Sequence, residues 1–432
     1  MSGPLRGLAD SLAGVDALPT PARAVFSHYA AGGSLELAAI RLQQRVEDEI
    51  ERIVEDAYAD VEAALADEFG RESVAFSYDT KLTLPVELTL AHVYRRATAA
   101  APPGIDPVSG RRATDPISKF RRRRADAEAD PVELVRETRR AREVAELVVV
   151  ALLDGDMRDA INDGEYEDFG VDFELAPEDR ARVASIAQEV LQAAVQEQFA
   201  AFPDEVRAAY DAAVDRSEAH QDRDPHFREL MADALAENRW FSAANQNSAS
   251  SGDVAAAETE AVEEAAIETD ESDRDDLDAA AAREALREEY KHPAFDDPPA
   301  LFEEAELDLP YLVTQYGRVG VIYHGMVEMF REAGIDLSPE FERAVVLSII
   351  GAQIWLDDVD DFAADVREGQ LTPVTAEYLL ADSDSEAYGE VVAIAESYLD
   401  AARDAAAASN APITGIAVEY IRHDGDLEKL PR

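Results

Sequence analysis

Residues 348–365 read Ser348-Ile-Ile-Gly-Ala-Gln353-Ile-Trp355-Leu-Asp357-Asp358-Val-Asp360-Asp361-Phe-Ala-Ala-Asp365, and the segment changes character midway. Its first half, up to Leu356, is apolar nearly all round, which is the pattern of a buried helix. It then presents Asp357, Asp358, Asp361 and Asp365. Asp357, Asp361 and Asp365 are four residues apart and so fall along one helix face. Like charges at that spacing repel each other. A buried helix ending in such a ladder calls for a compensating cation. Hard carboxylate oxygens suit Mg²⁺, which binds through a few carboxylates and completes its shell with water and phosphate.

Helical periodicity dominates in both directions from this segment. Leu35–Phe69 reads as one long amphipathic helix, with Leu42, Val46, Ile50, Ile53, Val54 and Val61 on its inner face. Leu82–Ala97 is a second helix, with Pro85 tolerated in its first turn. Val132–Ile161, Arg180–Phe202 and Glu205–Ser217 follow. The stretch from Asn245 to Asp276 is rich in acidic residues, Ser and Asn and has little apolar surface to bury, so it reads as a disordered insertion. Helical pattern returns in Leu309–Ala333, Pro339–Gly369, Pro373–Leu380, Glu386–Ser409 and Ile413–Ile421. No alternating strand pattern and no repeat is visible. The expected fold class is all-α, with a helical half over 1–244, an acidic linker over 245–285 and a second helical half over 286–432.

Composition narrows the function classes. Acidic residues number 92 against 40 basic, a formal charge of −52. Such a charge repels nucleic-acid phosphates and anionic lipid, which excludes both as general partners. Lysine occurs only at Lys81, Lys119, Lys291 and Lys429, and the remaining basic residues are Arg. High Asp/Glu with scarce Lys resembles proteins of salt-adapted archaea, where molar salt shortens the Debye length to about 3 Å and screens self-repulsion. With no cysteine, there is no disulfide, thiol nucleophile or thiolate-bound metal. Met1–Arg23 lacks a continuous apolar run and does not read as a signal peptide. Leu147–Leu153 and Ser348–Leu356 fall well short of the ~20 residues that span a bilayer. A cytoplasmic protein without an integral membrane segment is expected.

The Asp357-Asp358-Val-Asp360-Asp361 run fits the DDxxD pattern of class I isoprenoid synthases. Asp365-Val-Arg-Glu-Gly-Gln-Leu-Thr-Pro373 resembles the continuation that follows the second metal motif of squalene and phytoene synthases. Gln353 stands one residue out of register with those enzymes' usual glutamine. The resemblance covers residues 348–373. It implies an isoprenoid-synthase-like helical bundle in which two facing acidic motifs hold Mg²⁺ and grip the diphosphate of an allylic prenyl substrate. Prenyl transfer or condensation would follow ionisation. Metal ligands would be Asp357, Asp358, Asp361 and Asp365, with Asp156 and Asp159 from an upstream segment. That segment, Glu146–Asp159, has the same build, an apolar run leading to Asp154, Asp156 and Asp159. Gly110-Arg111-Arg112 resembles the Gly-Lys-Arg with which polyprenyl synthases contact diphosphate, so Arg111 and Arg112 are the expected diphosphate ligands. A homodimer is compatible with such a bundle.

A second reading stays open, a non-catalytic helical interaction or regulatory protein derived from the same fold. It draws on Gln370, where the family carries a basic residue, and on the first motif, which has Gly155 in place of its leading Asp. Acidic faces also serve solvation alone. The dense basic cluster of Arg111, Arg112, Lys119 and Arg121–Arg124 either contacts an anion or pairs with the protein's own acids on a surface loop. For nucleic acid it lacks interleaved aromatics apart from Phe120. His324, on an apolar helix, reads as a satisfied core residue rather than a ligand, and Trp355, Tyr316, Tyr323 and Phe330, candidates to line an apolar pocket, read by their helical spacing as core first.

Overall fold

The computed structural model describes residues 4–15, 18–32, 37–78, 83–102, 105–109, 111–112, 130–237 and 281–432. Residues 245–280 of the expected insertion, with Lys119 and Arg121–Arg124, lie outside the described residues; 281–285 are helical. The described chain is all-α apart from four two-residue strands. These pair antiparallel as β1 (Phe76–Ser77) with β4 (Gly170–Val171), and β2 (Ile105–Asp106) with β3 (Arg111–Arg112). Among the described residues no helix is long and apolar enough to cross a membrane.

The chain divides into two units, each assembled from separated stretches. Unit 1 comprises Met1–Asp215, Ile322–Val346 and Arg403–Ala417. It contains α1 (Pro4–Ala13), α2 (Thr20–Ala30), α3 (Leu37–Glu68), α4 (Leu84–Ala100), α5 (Pro131–Asp163), α6 (Pro177–Phe199) and the start of α7 (Asp204–Gln221). Helix α5 packs on α3, α4 and α6. Its ends follow from sequence. The Asp130 side chain accepts from the Val132 N–H, Pro131 occupies the first turn, and Gly164 closes the helix at φ 79°, a left-handed position suited to glycine. Its apolar run Leu147–Leu153 is buried throughout, each large side chain contributing roughly 1.5–3 kcal/mol. On α3, Val46, Ile50, Ile53 and Val61 are buried as the periodicity requires. The same helix carries a buried Glu49, which accepts from Tyr94 (3.0 Å) and is ion-paired with Arg142.

Unit 2 comprises Arg216–Val321, Leu347–Ala402 and Val418–Arg432. It holds the end of α7 and α8 (Asp224–Glu237), then α9 (Leu312–Gln315). Helix α10 (Val321–Glu332) lies almost wholly in unit 1, whereas α11 (Pro339–Ala352) passes from unit 1 into unit 2. In unit 2 follow α12 (Phe362–Glu368), α13 (Pro373–Leu380) and most of α14 (Asp384–Ala408); α15 (Pro412–Asp424) leads back into it. Helix α13 begins in a reciprocal cap, in which Thr372 and Thr375 each bond the other's backbone N–H. Helices α1, α2 and α8 carry no sequence-based expectation above.

Two segments expected to be continuous helices are interrupted. Leu309–Ala333 contains a π-turn at Tyr316–Gly320, and Pro339–Gly369 contains another at Gln353–Asp357. The first π-turn in chain order, Leu286–Lys291, follows residues 281–285, so that Tyr316–Gly320 is the second and Gln353–Asp357 the third. Each is closed by an i→i+5 bond: Val321 N–H to Tyr316, Asp358 N–H to Gln353, and His292 N–H to Arg287.

Candidate functional site

The aspartate segment lies in unit 2 with all three π-turns. After the π-turn at Gln353–Asp357, residues Asp358–Asp360 form one α-turn. Asp361, at φ −92° and ψ 0°, separates that turn from α12. The backbone bonds Asp361 N–H to Asp357 (2.9 Å) and Asp365 N–H to Asp361 (2.9 Å) keep the three acids four apart along the chain. The inward carboxylate of the segment is Asp358, 2% exposed, in line with buried Ile354 and Phe362. Asp357 and Asp365 are half-buried, and Asp361 is exposed.

Arg318, in the second π-turn, supplies the partner. Its guanidinium donates to Asp358 Oδ1 at 3.2 Å. Gln353 Nε2 donates to Asp357 Oδ2 and, at 3.4 Å, to Asp358 Oδ1. Asp358 Oδ2 is buried without a hydrogen-bond partner. Burial pushes Asp358 up to about 6 against the lowering effect of Arg318, and Asp357 adds to the rise. Asp365 is pushed up to about 7 by burial and then by Asp358, with Asp361 and Asp357 contributing. The carboxylates therefore crowd one another in a medium of low polarity.

Aromatic residues and a histidine wall this group. The Tyr290 hydroxyl donates to the Leu371 carbonyl (2.8 Å), so its proton is committed to backbone. Burial raises its pKa well above the ordinary value. Tyr290 stacks edge-on against Phe227 (5.0 Å) and Tyr311 (5.6 Å). His220 packs on Gly317, where an added Cβ would lie 2.6 Å from its Nδ1. Burial, then Arg223 and Arg318, hold His220 down at about 4, so it is neutral at physiological pH.

The other expected site residues lie elsewhere in the chain. Asp154, Asp156 and Asp159 are on α5 in unit 1. Asp154 is buried and accepts from Arg158 and from Gln188 (2.9 Å). Asp156 is half-buried and Asp159 exposed. The backbone of Arg111 and Arg112 forms β3, in unit 1; their side chains lie outside the described residues. His324 is buried, with Glu328 and Glu342 each 3.9 Å from its Nε2. Trp355, Tyr316, Tyr323 and Phe330 are buried.

Arg318, His220 and Tyr290 were not singled out by sequence. Arg318 had a signal: it is the only charged residue between Leu309 and Val327, and a lone arginine in an apolar helix requires a buried partner.

Among the described residues no group of three or more His, Asp or Glu is assembled as a metal site. Mg²⁺ does not require one, because it binds through one or two carboxylates together with water and phosphate oxygens. The hard oxygens of Asp357 and Asp358, one of them an unpartnered Oδ2, fit that requirement. Compared with protein-family models, with curated proteins and with solved structures, the chain finds no match.

Proposed function

We propose that the Asp357–Asp365 segment binds a divalent cation and, with it, the diphosphate of a prenyl substrate, as in an isoprenoid-synthase-like enzyme. The observation that carries this reading is the unpartnered Oδ2 of Asp358, buried among carboxylates that raise one another's pKa. A bound Mg²⁺ supplies charge stabilisation to a departing diphosphate. Asp357 and Asp358 would hold it, with Asp361 and Asp365 next along the chain. Arg318 fixes the Asp358 carboxylate through Oδ1 and leaves Oδ2 for the ligand. Gln353 holds Asp357 and Asp358 together. Buried Ile354, Trp355 and Tyr290 would exclude water from their surroundings.

The test is calorimetry of Mg²⁺ with inorganic diphosphate, alongside turnover of labelled C5 to C20 prenyl diphosphates, in molar KCl. Mg²⁺-dependent binding that disappears in Asp357→Asn/Asp358→Asn, with Mg²⁺-dependent diphosphate release, supports the enzyme. Binding unchanged in that variant removes the site.

One feature favours the second reading, a non-catalytic helical interaction protein. Arg318 already neutralises Asp358 from within. Magnesium-dependent diphosphate binding without turnover on any chain length, in folded protein, would select it.

A further inference from the structure

Unit 2 carries a second cation at the same motif. After α15 the chain runs as Gly425–Arg432 and meets the aspartate segment and the helices after it at several points. Lys429 Nζ lies 2.9 Å from Asp360 Oδ2, inside the Asp357–Asp361 run. Gly425 lies so close to the Trp355 indole that a Cβ there would sit 2.2 Å from Nε1. Leu430 is buried. The Tyr378 hydroxyl donates to the Pro431 carbonyl at 2.6 Å. The Arg432 guanidinium stacks over Tyr388 at 4.7 Å and donates to its hydroxyl.

We infer that Gly425–Arg432 is an autoinhibitory strap, whose Lys429 ammonium holds part of the motif's negative charge until a divalent cation displaces it. The inference rests on reading the motif as a divalent-cation site.

Two features make the contact releasable. The Lys429–Asp360 pair is exposed on both sides, and exposed pairs are weak and exchange readily. Beneath Gly425, the Trp355 indole N–H is buried with no hydrogen-bond partner. Lifting the strap lets water satisfy that donor. The composition sharpens the point: in a chain with four lysines, one sits on this motif. Lys429 acts on Asp361 of the motif as well as on Asp360, so a divalent cation that draws on Asp361 competes with the ammonium for the same negative charge, and the two repel. The same effect runs in reverse, so the strap weakens metal binding by the factor with which metal weakens the strap.

The test uses the full chain with Trp240→Phe, which leaves Trp355 as the single tryptophan, and Mn²⁺ alone as the probe. Mn²⁺ is expected to shift Trp355 emission, and Lys429→Met is expected to bind Mn²⁺ about twofold to fivefold more tightly, the scale of an exposed ion pair. Without metal, Lys429→Met and Asp360→Asn should already show part of the emission shift. The affinity difference should narrow as KCl is raised. Equal Mn²⁺ affinity in the parent and Lys429→Met, with unchanged Trp355 emission, overturns the strap and leaves the cation site standing. No Mn²⁺ binding in either chain overturns the cation site, and the strap's regulatory role with it.

Discussion

Replacing Arg318 with methionine tests whether the aspartate motif is held together by charge. Asp358 is 2% exposed, and Arg318, its partner at 3.2 Å, has a side chain 28% exposed. Breaking a buried pair costs about 3–5 kcal/mol. Partial access of Arg318 to water, and the Gln353 bond that survives, place this pair near or below about 3 kcal/mol. The cost depends on pH, and its sign is fixed. The folded-state pKa of Asp358 is raised to about 6 from an unfolded value near 3.9. A raised carboxylate favours the folded state in acid, and that contribution is lost as pH rises through the folded pKa. In Arg318→Met the charge that lowers this pKa is gone, so the loss continues to higher pH at up to about 1.36 kcal/mol per pH unit. The variant should therefore be within about 0.5 kcal/mol of the parent near pH 5 and about 2–3 kcal/mol less stable near pH 8. Urea denaturation in molar KCl, followed by helical circular dichroism, reads this directly. Adding Asp358→Asn to Arg318→Met removes the unpaired carboxylate and should recover most of the loss near pH 8. An Arg318→Met penalty equal at both pH values, or a double variant no more stable than the single, would refute the argument that Arg318 compensates Asp358.

His92 gives the opposite pH sign. Burial, then Arg96 and Arg95, lower it to about 4, and its ring stacks on Phe341 at 4.2 Å. A depressed histidine favours the folded state above the unfolded pKa and loses that contribution as pH falls from about 6.5 toward 4, by up to about 3 kcal/mol. His92→Phe should flatten that limb of the stability profile; an unchanged limb refutes the assignment. Gly317→Ala places a Cβ 2.6 Å from His220 Nδ1, an overpacking expected to cost about 1–3 kcal/mol. The double variant with His220→Ala should recover most of it, and thermal unfolding that leaves Gly317→Ala equal to the parent would show that His220 does not pack there.

How far the sequence could be read depends on what each feature requires. Helix α5 was legible because its determinants are local: an Asp130 cap, Pro131 at the start, an apolar run and Gly164 at the end. The register of α3 was legible for the same reason, a sustained 3.6-residue period. The start of α13 could be placed from Pro373, although its Thr372–Thr375 reciprocal cap was seen only in the structure. The interruptions were not legible. A π-turn is one extra residue in a helical turn, closed by an i→i+5 bond, and no residue type announces it. That Asp358, rather than a member of the Asp357–Asp361–Asp365 series, is the buried carboxylate depends on the packing around the segment, which the series does not announce. Pairing of Asp358 with Arg318, 40 positions away, is a tertiary choice. The lone charge at Arg318 marked that a partner was needed but not which one. The interleaving of the units is equally non-local, since α10 and part of α11 belong with helices more than a hundred residues earlier.

The three π-turns then acquire a common explanation. A π-turn is rare and appears mostly as a single widened turn inside an α-helix, frequently at a functional site. Here each one carries or adjoins a polar residue of the same group. Tyr290 lies in the first, Arg318 in the second, and Asp358 directly after the third. Their charges are felt mutually, since Arg318 and Asp358 both act on Tyr290, and Tyr290, Asp357 and Asp365 act on Arg318. In regular helices a one-residue change of phase turns a side chain by about 100°, enough to exchange a buried for an exposed direction. Apolar packing alone does not call for an irregular turn at each of these three polar residues. Three irregular turns that carry or adjoin Tyr290, Arg318 and Asp358 therefore bring these polar groups together at the expense of regular helical geometry in this part of the molecule.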